Sequence, residues 1–329
     1  MKNSERAVGI TTTIPIEIVF AAGYRPVDLN NVFITSRDPT RLVENAEGEG
    51  FPRNMCAWVK GIYSAARGQG IRRVVGVCQG DCSNTHALLE VFQTEGVEVI
   101  RFDYPYGRES DALMRQMEKL AGALGTSVEA GEGMKERLEP LRALARRVDE
   151  LTWKEGKVSG EENHLCLINC SDMKGDWEGY ERELGEFVAE AEGREKRDRG
   201  IRLGYVGIPP ICGGIYGFLE ELGAEVVLNE MQRQFSMPHP ARSLLEQYLC
   251  YTYPYDIFFR AEDIRREVER REIRGLVHYV QSFCFRQIQD RILREKVGVP
   301  VLTLECDRPG ELDERSKTRL QAFVEMLNA

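Results

Sequence analysis

Long apolar runs are absent from this chain of 329 residues. No stretch approaches the roughly 20 consecutive apolar residues that a membrane-spanning helix needs. The one apolar run near the N-terminus is interrupted by Glu17, and no small-residue cleavage site accompanies it. We therefore predict no signal peptide and expect a cytoplasmic protein.

Positive charge is also scarce. Lysine and arginine together number 44 against 53 aspartates and glutamates, which gives a formal net charge of −9. This balance disfavours nucleic acid and anionic membranes as main partners. We therefore expect neither among the partners of the protein.

Several motifs of common enzymes are missing. No G-x-x-x-x-G-K-[ST] occurs, so the chain has no P-loop for ATP. The glycine-rich turn at residues 212–217 lacks the G-x-G-x-x-G spacing, which argues against NAD or FAD. No G-x-S-x-G supports a serine hydrolase. The four histidines form neither H-E-x-x-H nor C-x-x-C…H, so zinc is not predicted.

Cysteine, in contrast, is plentiful, with nine residues. In a reducing cytoplasm an odd number of cysteines does not favour a disulfide framework. A free cysteine often serves as a small core side chain. Packing, metal binding and redox or catalytic chemistry therefore all stay open for these thiols.

The order of apolar and amphipathic stretches predicts an α/β fold. Strand patterns and helix patterns alternate in the first third of the chain, and a similar alternation starts again near Ile201. Such alternation predicts parallel sheets with helices on both faces. The predicted strands of the first third cover residues 15–24, 71–81 and 97–107, and the predicted helices cover residues 51–70 and 82–96.

We expect two doubly wound, Rossmann- or flavodoxin-like domains with a helical connecting region. The N-terminal α/β domain with its helical extension would cover residues 1–155. A connecting helical segment would cover 156–199 and end in a polar linker, and the C-terminal α/β domain would cover 200–329. The two domains are predicted to face each other across a cleft, where strand ends and helix starts converge.

Cysteines occupy the predicted helix starts. Cys82, Cys212 and Cys284 each follow a strand pattern, and Cys56 begins a helix pattern. Helix N-termini carry partial positive charge and free N–H groups. We expect this setting to lower a thiol's pKa and to stabilise the thiolate that binds metal. An iron–sulfur cluster, packing thiols and redox thiols remain alternatives from this spacing alone.

At these residues the sequence resembles the 2-hydroxyacyl-CoA dehydratase and benzoyl-CoA reductase superfamily of iron–sulfur proteins. Within it, the chain is most similar to the single-subunit branch that includes the double-cubane cluster proteins. The matching segments cover most of the chain in family order. They are NMCAWVKGIYSAA, QGDCSNTHALLE, NCSDMKGDWEGYE, GAEVVLNEMQRQFSMP, YTYPYDIFFRAEDI, HYVQSFCFRQIQD and PVLTLECDRPGELDERSKTRLQAFVEML.

The resemblance implies a 4Fe–4S cluster in the cleft between the domains. Cys56, Cys82 and Cys284 would each bind one iron, and the fourth iron would be left for water, sulfide or substrate. A double cubane of eight irons and nine sulfides would need three further thiolates. The candidates for this second set are Cys78, Cys170 and Cys212, with Cys250 in reserve, whereas Cys166 and Cys306 are expected to pack.

Polar neighbours of two cysteines could hydrogen-bond to cluster sulfur and tune its potential. Ser83 could equally cap a helix and Asp81 could equally shape a turn. Trp58 and Tyr63 are expected in the core. The candidate neighbours are His278, Gln281, Ser282 and Arg286 around Cys284, and Gln79, Asp81, Ser83 and Asn84 around Cys82.

The resemblance also implies a source of electrons. Relatives receive single electrons from a separate ATP-hydrolysing iron–sulfur activator, which agrees with the missing P-loop here. We expect a low-potential iron–sulfur reductase that reduces a small substrate at the open iron, and we expect a homodimer. One alternative is an (R)-2-hydroxyacyl-CoA dehydratase-type subunit acting on a CoA thioester. The other is a non-catalytic electron-transfer or cluster-carrier protein.

Overall fold

The computed structural model describes residues 6–197 and 200–329. Residues 1–5 and, within the predicted polar linker, Asp198 and Arg199 lie outside this part of the chain. The chain divides into two compact units, each of which joins segments that are distant in sequence. The boundaries near residues 155 and 199 stay a prediction. Unit 1 comprises Met1–Arg142, Asn169–Glu181 and Met237–Asp256, and unit 2 comprises Ala143–Ile168, Arg182–Ser236 and Ile257–Ala329.

The first part of the chain builds one sheet with helices around it. Its strands are β1 (Ala7–Ile10), β2 (Arg25–Asp28), β3 (Arg73–Gln79) and β4 (Glu98–Asp103). Its helices are α1 (Ile16–Ala21), α2 (Leu29–Ile34), α3 (Pro39–Gly48), α4 (Ala57–Gly68), α5 (Ser83–Thr94), α6 (Ser110–Leu124) and α7 (Val128–Glu150). All strand pairs are parallel, in the order β2-β1-β3-β4. Because β1 lies between β2 and β3, the chain winds outward in both directions, as in doubly wound folds.

The middle of the chain is helical, as the sequence predicts. A π-helical turn at Leu151–Glu155 directly continues α7. It is followed by α8 (Gly160–Ile168), two 3₁₀ turns at Asn169–Ser171 and Met173–Gly175, and α9 (Trp177–Glu192).

The last part of the chain builds a second sheet. Its strands are β5 (Ile201–Gly207), β6 (Cys212–Gly213), β7 (Ala224–Asn229), β8 (Gly275–Val280), β9 (Val301–Glu305) and β10 (Gly310–Glu311). Its helices are α10 (Ile215–Glu221), α11 (Glu230–Phe235), α12 (Leu244–Cys250), α13 (Ile257–Arg270), α14 (Phe285–Lys296) and α15 (Glu314–Asn328), of which α12 belongs to unit 1. Four strands pair in parallel in the order β7-β5-β8-β9, and β6 pairs with β10 separately. The prediction of two parallel-sheet α/β units is confirmed.

The predicted strand at residues 15–24 is wrong. The segment forms the short helix α1, and the edge strand is the following segment β2, which pairs with β1. A short apolar run cannot be assigned to strand or helix by periodicity alone. Pro15 stands immediately before the helix, where its fixed φ and missing N–H cost little. The strand patterns at residues 71–81 and 97–107 are confirmed as β3 and β4.

The charge that interrupts this apolar run is fully buried. Glu17 lies in α1 with 0% exposure. Its Oε1 accepts hydrogen bonds from Arg142 at 2.5 Å and from Gln247 at 2.6 Å. Its Oε2 lies 2.8 Å from the hydroxyl of Tyr248. This carboxylate therefore ties α1 to α7 and α12 inside unit 1.

Close packing of α5 against β3 sets the position of the helix start in unit 1. A Cβ atom built on Gly76 would lie 2.3 Å from a methyl group of Leu89, so the strand must carry glycine for the helix to approach. Val74, Leu89 and Phe92 are fully buried in the same apolar cluster.

In the described part of the chain, no helix is long and apolar enough to cross a membrane.

Candidate functional site

Cys82 lies at the start of α5, directly after the turn that leaves β3. It is the N-cap residue of this helix, so Ser83 is not the cap that its hydroxyl suggested. Gly80 in the turn has φ +102°, and a Cβ atom there would lie 2.9 Å from Pro254. Asp81 accepts a hydrogen bond from the N–H of Cys82 at 2.8 Å and from the hydroxyl of Thr85 at 2.9 Å. A glycine and a carboxylate therefore fix the position of this thiol.

The protonation of Cys82 differs from the expectation. Burial raises the pKa of the thiol, and the Asp81 carboxylate raises it further. The hydroxyl of Thr85, 3.6 Å from the sulfur, and the backbone N–H groups of Thr85 and Asn84 act to lower the pKa but are outweighed. The predicted lowering by the helix N-terminus is therefore wrong for this residue. Without a bound cation the sulfur is a thiol at neutral pH, and metal binding must displace its proton.

Two more predicted ligands lie near the same apolar cluster of unit 1. Cys56 is the N-cap residue of α4, and Cys78 lies in β3. Both are half-buried and, like Cys82, pack against the cluster that contains Leu89. Burial and Asp103 raise the pKa of Cys78.

The other cysteines of unit 1 differ in exposure. Cys170 lies in the 3₁₀ turn at Asn169–Ser171 and is only 1% exposed. Cys250 is the last residue of α12 and is half-buried. Burial raises the pKa of Cys250. These two thiols are thus less accessible than a surface ligand would be, and Cys170 is almost enclosed.

Cys284 lies in unit 2 at the corresponding position after β8. It is the N-cap residue of α14, and its N–H donates to the carbonyl oxygen of Gln281 at 3.1 Å. The preceding Phe283 has φ 63°, an unusual conformation for a bulky residue. Asp307 holds this loop because its carboxylate accepts the N–H of Ser282 at 2.7 Å and the Ser282 hydroxyl at 2.6 Å. Asp307 could not be singled out from the sequence alone, since it lies 23 residues from Cys284 in the chain.

A buried histidine stands behind this loop. His278 in β8 is 0% exposed, and its Nδ1 lies 2.9 Å from a carboxylate oxygen of Asp290. Burial lowers the pKa of His278 although Asp290 opposes the change. Within the described residues its Nε2 has no hydrogen-bond partner. Because a carboxylate can only accept, Nδ1 donates to Asp290, and Nε2 of the neutral ring is left to accept one further hydrogen bond.

Cys212 and Cys306 lie side by side in unit 2. Each thiol is the largest influence on the other's pKa: Cys306 raises the pKa of Cys212, and Cys212 lowers the pKa of Cys306. Cys212 is 3% exposed, whereas Cys306 is half-buried and its sulfur lies 3.6 Å from the carbonyl oxygen of Arg308. The sequence suggested that Cys306 only packs, but its sulfur lies near a carbonyl oxygen and interacts with the Cys212 thiol.

The described residues do not form a preorganised site for a metal ion. Across residues 6–197 and 200–329, no three histidine, cysteine, aspartate or glutamate side chains form a group that could hold a metal ion. The donor chemistry nevertheless fits an iron–sulfur cluster. Cys56, Cys82 and Cys284 are each the N-cap residue of a helix of 12 residues. Each sulfur thus lies at a helix end that favours negative charge.

Two buried carboxyl groups in unit 1 were missed by the sequence analysis. Asp28 is the N-cap residue of α2, and its N–H donates to Asp172 at 2.7 Å. The hydroxyl of Ser171 donates to Asp28 at 2.6 Å. Burial raises the pKa of both carboxyls, and the neighbouring Asp28 helps to raise the pKa of Asp172 to about 7. The pair therefore holds a proton at pH values where an exposed aspartate is ionised.

This pair predicts a pH dependence of stability. The unfolded chain ionises Asp172 near pH 4, whereas the folded chain keeps its proton up to about pH 7. Because the folded state binds the extra proton, the contribution of Asp172 to stability falls as pH rises through this range. From pH 5 to pH 8, Asp172→Asn should gain on the order of 2–4 kcal/mol relative to the parent protein. Urea unfolding at both pH values measures this gain, and the exposed Asp111→Asn should show none.

Comparisons with known proteins place the chain in a family. No curated protein matches it. Among solved structures, the SBP FpvC in complex with Ni2+ from P. aeruginosa aligns with 98% of this chain and 96% of its own at 14% identity. The TM-score of this alignment is 0.24, which is too low to indicate a shared fold. A family model described as 2-hydroxyglutaryl-CoA dehydratase, D-component, matches residues 11–327, which is nearly the whole chain and includes the motifs of Cys56, Cys82 and Cys284. The chain therefore belongs to the family of 2-hydroxyglutaryl-CoA dehydratase D-components, within the 2-hydroxyacyl-CoA dehydratase superfamily.

Proposed function

We propose that this protein is a low-potential iron–sulfur reductase that binds a 4Fe–4S cluster through Cys56, Cys82 and Cys284. One observation carries the proposal: all three cysteines stand at the same structural position, the residue before the first turn of a 12-residue helix. The first N–H groups of a helix have no partner within the helix. They stabilise the negative charge of thiolates and cluster sulfides.

The loops before these helices would hold the sulfur atoms in place. Asp81 fixes the N–H of Cys82, and Asp307 fixes the backbone two residues before Cys284. Neither carboxylate is then available to move toward an iron without breaking its loop. A cluster would supply single-electron transfer at low potential, and the protein would supply position and exclusion of water.

Electrons would come from another protein. The chain contains no P-loop, so ATP hydrolysis cannot occur at such a motif here. Membership of the dehydratase family supports a separate ATP-hydrolysing iron–sulfur activator as the donor. We expect the protein to act as a homodimer, with a small unsaturated molecule or a thioester as the electron acceptor.

A double cubane of eight irons and nine sulfides is the larger form of this proposal. Its second set of ligands would be Cys78, Cys170 and Cys212. Cys78 has the strongest support because it packs against the same apolar cluster as Cys56 and Cys82. The nearly enclosed Cys170 and Cys212 would have to become accessible to iron during cluster assembly.

A dehydratase-type role on a CoA thioester is the second candidate, because the matching family is described as a component of 2-hydroxyglutaryl-CoA dehydratase. In that role the chain would need a second, unlike component. A non-catalytic electron carrier is the third alternative, and it would share the cluster but not the substrate.

Substrate-dependent reoxidation separates these functions. The reconstituted protein is reduced by the activator and ATP under anaerobic conditions, and its visible absorption is followed after addition of an acceptor. Reoxidation by a small unsaturated acceptor supports the reductase, and reoxidation by a 2-hydroxyacyl-CoA thioester supports the dehydratase. Reoxidation by dyes alone favours the carrier. A non-hydrolysable ATP analogue should prevent reduction, and ATP-independent reduction at the same rate would contradict the proposed partner.

A further inference from the structure

One pair of thiols in unit 2 has a geometry that binding to iron does not require. Cys212 lies in β6, and Cys306 directly follows β9. In the chain 93 residues separate them, yet each thiol has the largest influence on the pKa of the other. Two thiols held close together are the starting arrangement for a disulfide.

A buried tyrosine holds the two backbones together. Tyr279 in β8 is 0% exposed. Its hydroxyl accepts the N–H of Ile211 at 3.1 Å and donates to the carbonyl oxygen of Cys306 at 2.9 Å. One side chain therefore bridges the residue before Cys212 and Cys306 itself.

The strand pair β6–β10 fixes the same region from the other side. In this parallel pair, Cys212 lies opposite Gly310, four residues after Cys306. The loop between Cys306 and Gly310 is thus anchored at both ends next to Cys212. The two cysteines are therefore held in proximity by backbone pairing and by Tyr279.

The two thiols differ in access. Cys306 is half-buried, whereas Cys212 is 3% exposed. An external disulfide therefore meets Cys306 more readily than Cys212. This is the arrangement of an attacking cysteine with a resolving cysteine behind it.

We propose that Cys212 and Cys306 are a reversible dithiol–disulfide site that exchanges with a small external disulfide. The Cys306 sulfur attacks one sulfur of the external disulfide, which breaks that bond and releases one small thiol. The Cys212 sulfur then attacks Cys306, forms the internal disulfide and releases the second small thiol. Two cysteine thiols are oxidised, one external disulfide is reduced to two thiols, and the two cysteine protons go to the two released thiols.

The site has a direct route to the candidate cluster ligand. Cys306 is followed by Asp307, whose carboxylate holds Ser282, two residues before Cys284. Formation of the disulfide shortens the distance between the Cys212 and Cys306 sulfurs to about 2 Å and shifts the residue next to Asp307. The redox state of the pair would therefore reach the Cys284 loop through one hydrogen-bonded residue. This inference removes Cys212 from the second set of cluster ligands.

Mass spectrometry of the cluster-free full-length protein tests the proposal. The reduced protein is treated with oxidised glutathione, remaining thiols are blocked with N-ethylmaleimide, and the non-reduced tryptic peptides are analysed. We expect one cross-linked pair that contains Cys212 and Cys306, a loss of two free thiols per chain, and full reversal by dithiothreitol. Recovery of both cysteines as blocked thiols, or of either one cross-linked to a third cysteine, would overturn the proposal.

Variants separate this site from iron binding. Cys306→Ser should abolish the cross-link and leave the iron content after reconstitution unchanged. The matched control Cys166→Ser, at another half-buried cysteine of unit 2, should leave the cross-link intact. If Cys212→Ser lowers the iron content while Cys306→Ser does not, Cys212 is an iron ligand and the inference is wrong. The parent protein decides the question even if a variant fails to fold.

Discussion

Cys284→Ser should lower the iron content of the anaerobically reconstituted protein from about four atoms per chain to less than about one. Serine keeps the size of the side chain but replaces the thiolate by a hydroxyl that stays protonated and binds iron poorly. A cubane held by three protein thiolates cannot lose one of them and stay stably bound. Iron analysis and the visible absorption of the cluster measure the loss.

The environment of Cys284 indicates that serine should remove the thiolate without disturbing the fold. The residue is half-buried at the N-cap of α14, where serine is a good capping residue. Far-UV circular dichroism of the variant should therefore match that of the parent. Cys166→Ser, at a half-buried cysteine that is expected to pack, serves as the matched control and should keep its iron. Equal iron in Cys284→Ser and in the parent would mean that this thiol is not a ligand.

Glu17→Ala should destabilise unit 1 by about 3–5 kcal/mol, because it leaves the buried charge of Arg142 without its carboxylate partner. Arg142 is 1% exposed and donates to Glu17 at 2.5 Å. The substitution also removes the acceptor for the buried amide of Gln247 and for the hydroxyl of Tyr248. Urea unfolding of the cluster-free protein, followed by circular dichroism, measures the change.

Two controls identify the cause of this loss. The double variant Glu17→Met with Arg142→Met should lose less stability than Glu17→Met alone, since it removes both charges and fills the space with apolar side chains. Glu269→Ala breaks a pair with Arg265 whose side chains are 66% and 38% exposed, and it should cost less than about 1 kcal/mol. A cost for Glu17→Ala as small as that of Glu269→Ala would show that the buried pair is not a major source of stability.

Sequence periodicity predicted the sheets well where strands are long and β-branched. The segments that became β3 and β4 carry alternating or continuous apolar residues, and the strand–helix step around Cys284 is visible in the sequence. The segment of Glu17 failed because a short apolar run fits both a strand and a helix. The glutamate in that run is paired with Arg142, which lies 125 residues away and cannot be recognised as its partner from the chain alone.

The candidate site was predictable in its residues but not in its electrostatics. The positions of Cys56, Cys82 and Cys284 at helix starts followed from local pattern, because capping is a local property. The raised pKa of Cys82 did not follow, because burial depends on the whole unit. The pairing of Cys212 with Cys306 depends on strand order and on Tyr279, and sequence spacing contains neither.

The central claim is that the cysteine thiolates of this chain bind an iron–sulfur cluster. Iron and acid-labile sulfide per chain after anaerobic reconstitution test it most directly. We predict about four of each for a single cubane, or about eight irons for the double form. A folded protein that binds no iron under these conditions would contradict the account and would leave its nine cysteines to structural and thiol chemistry.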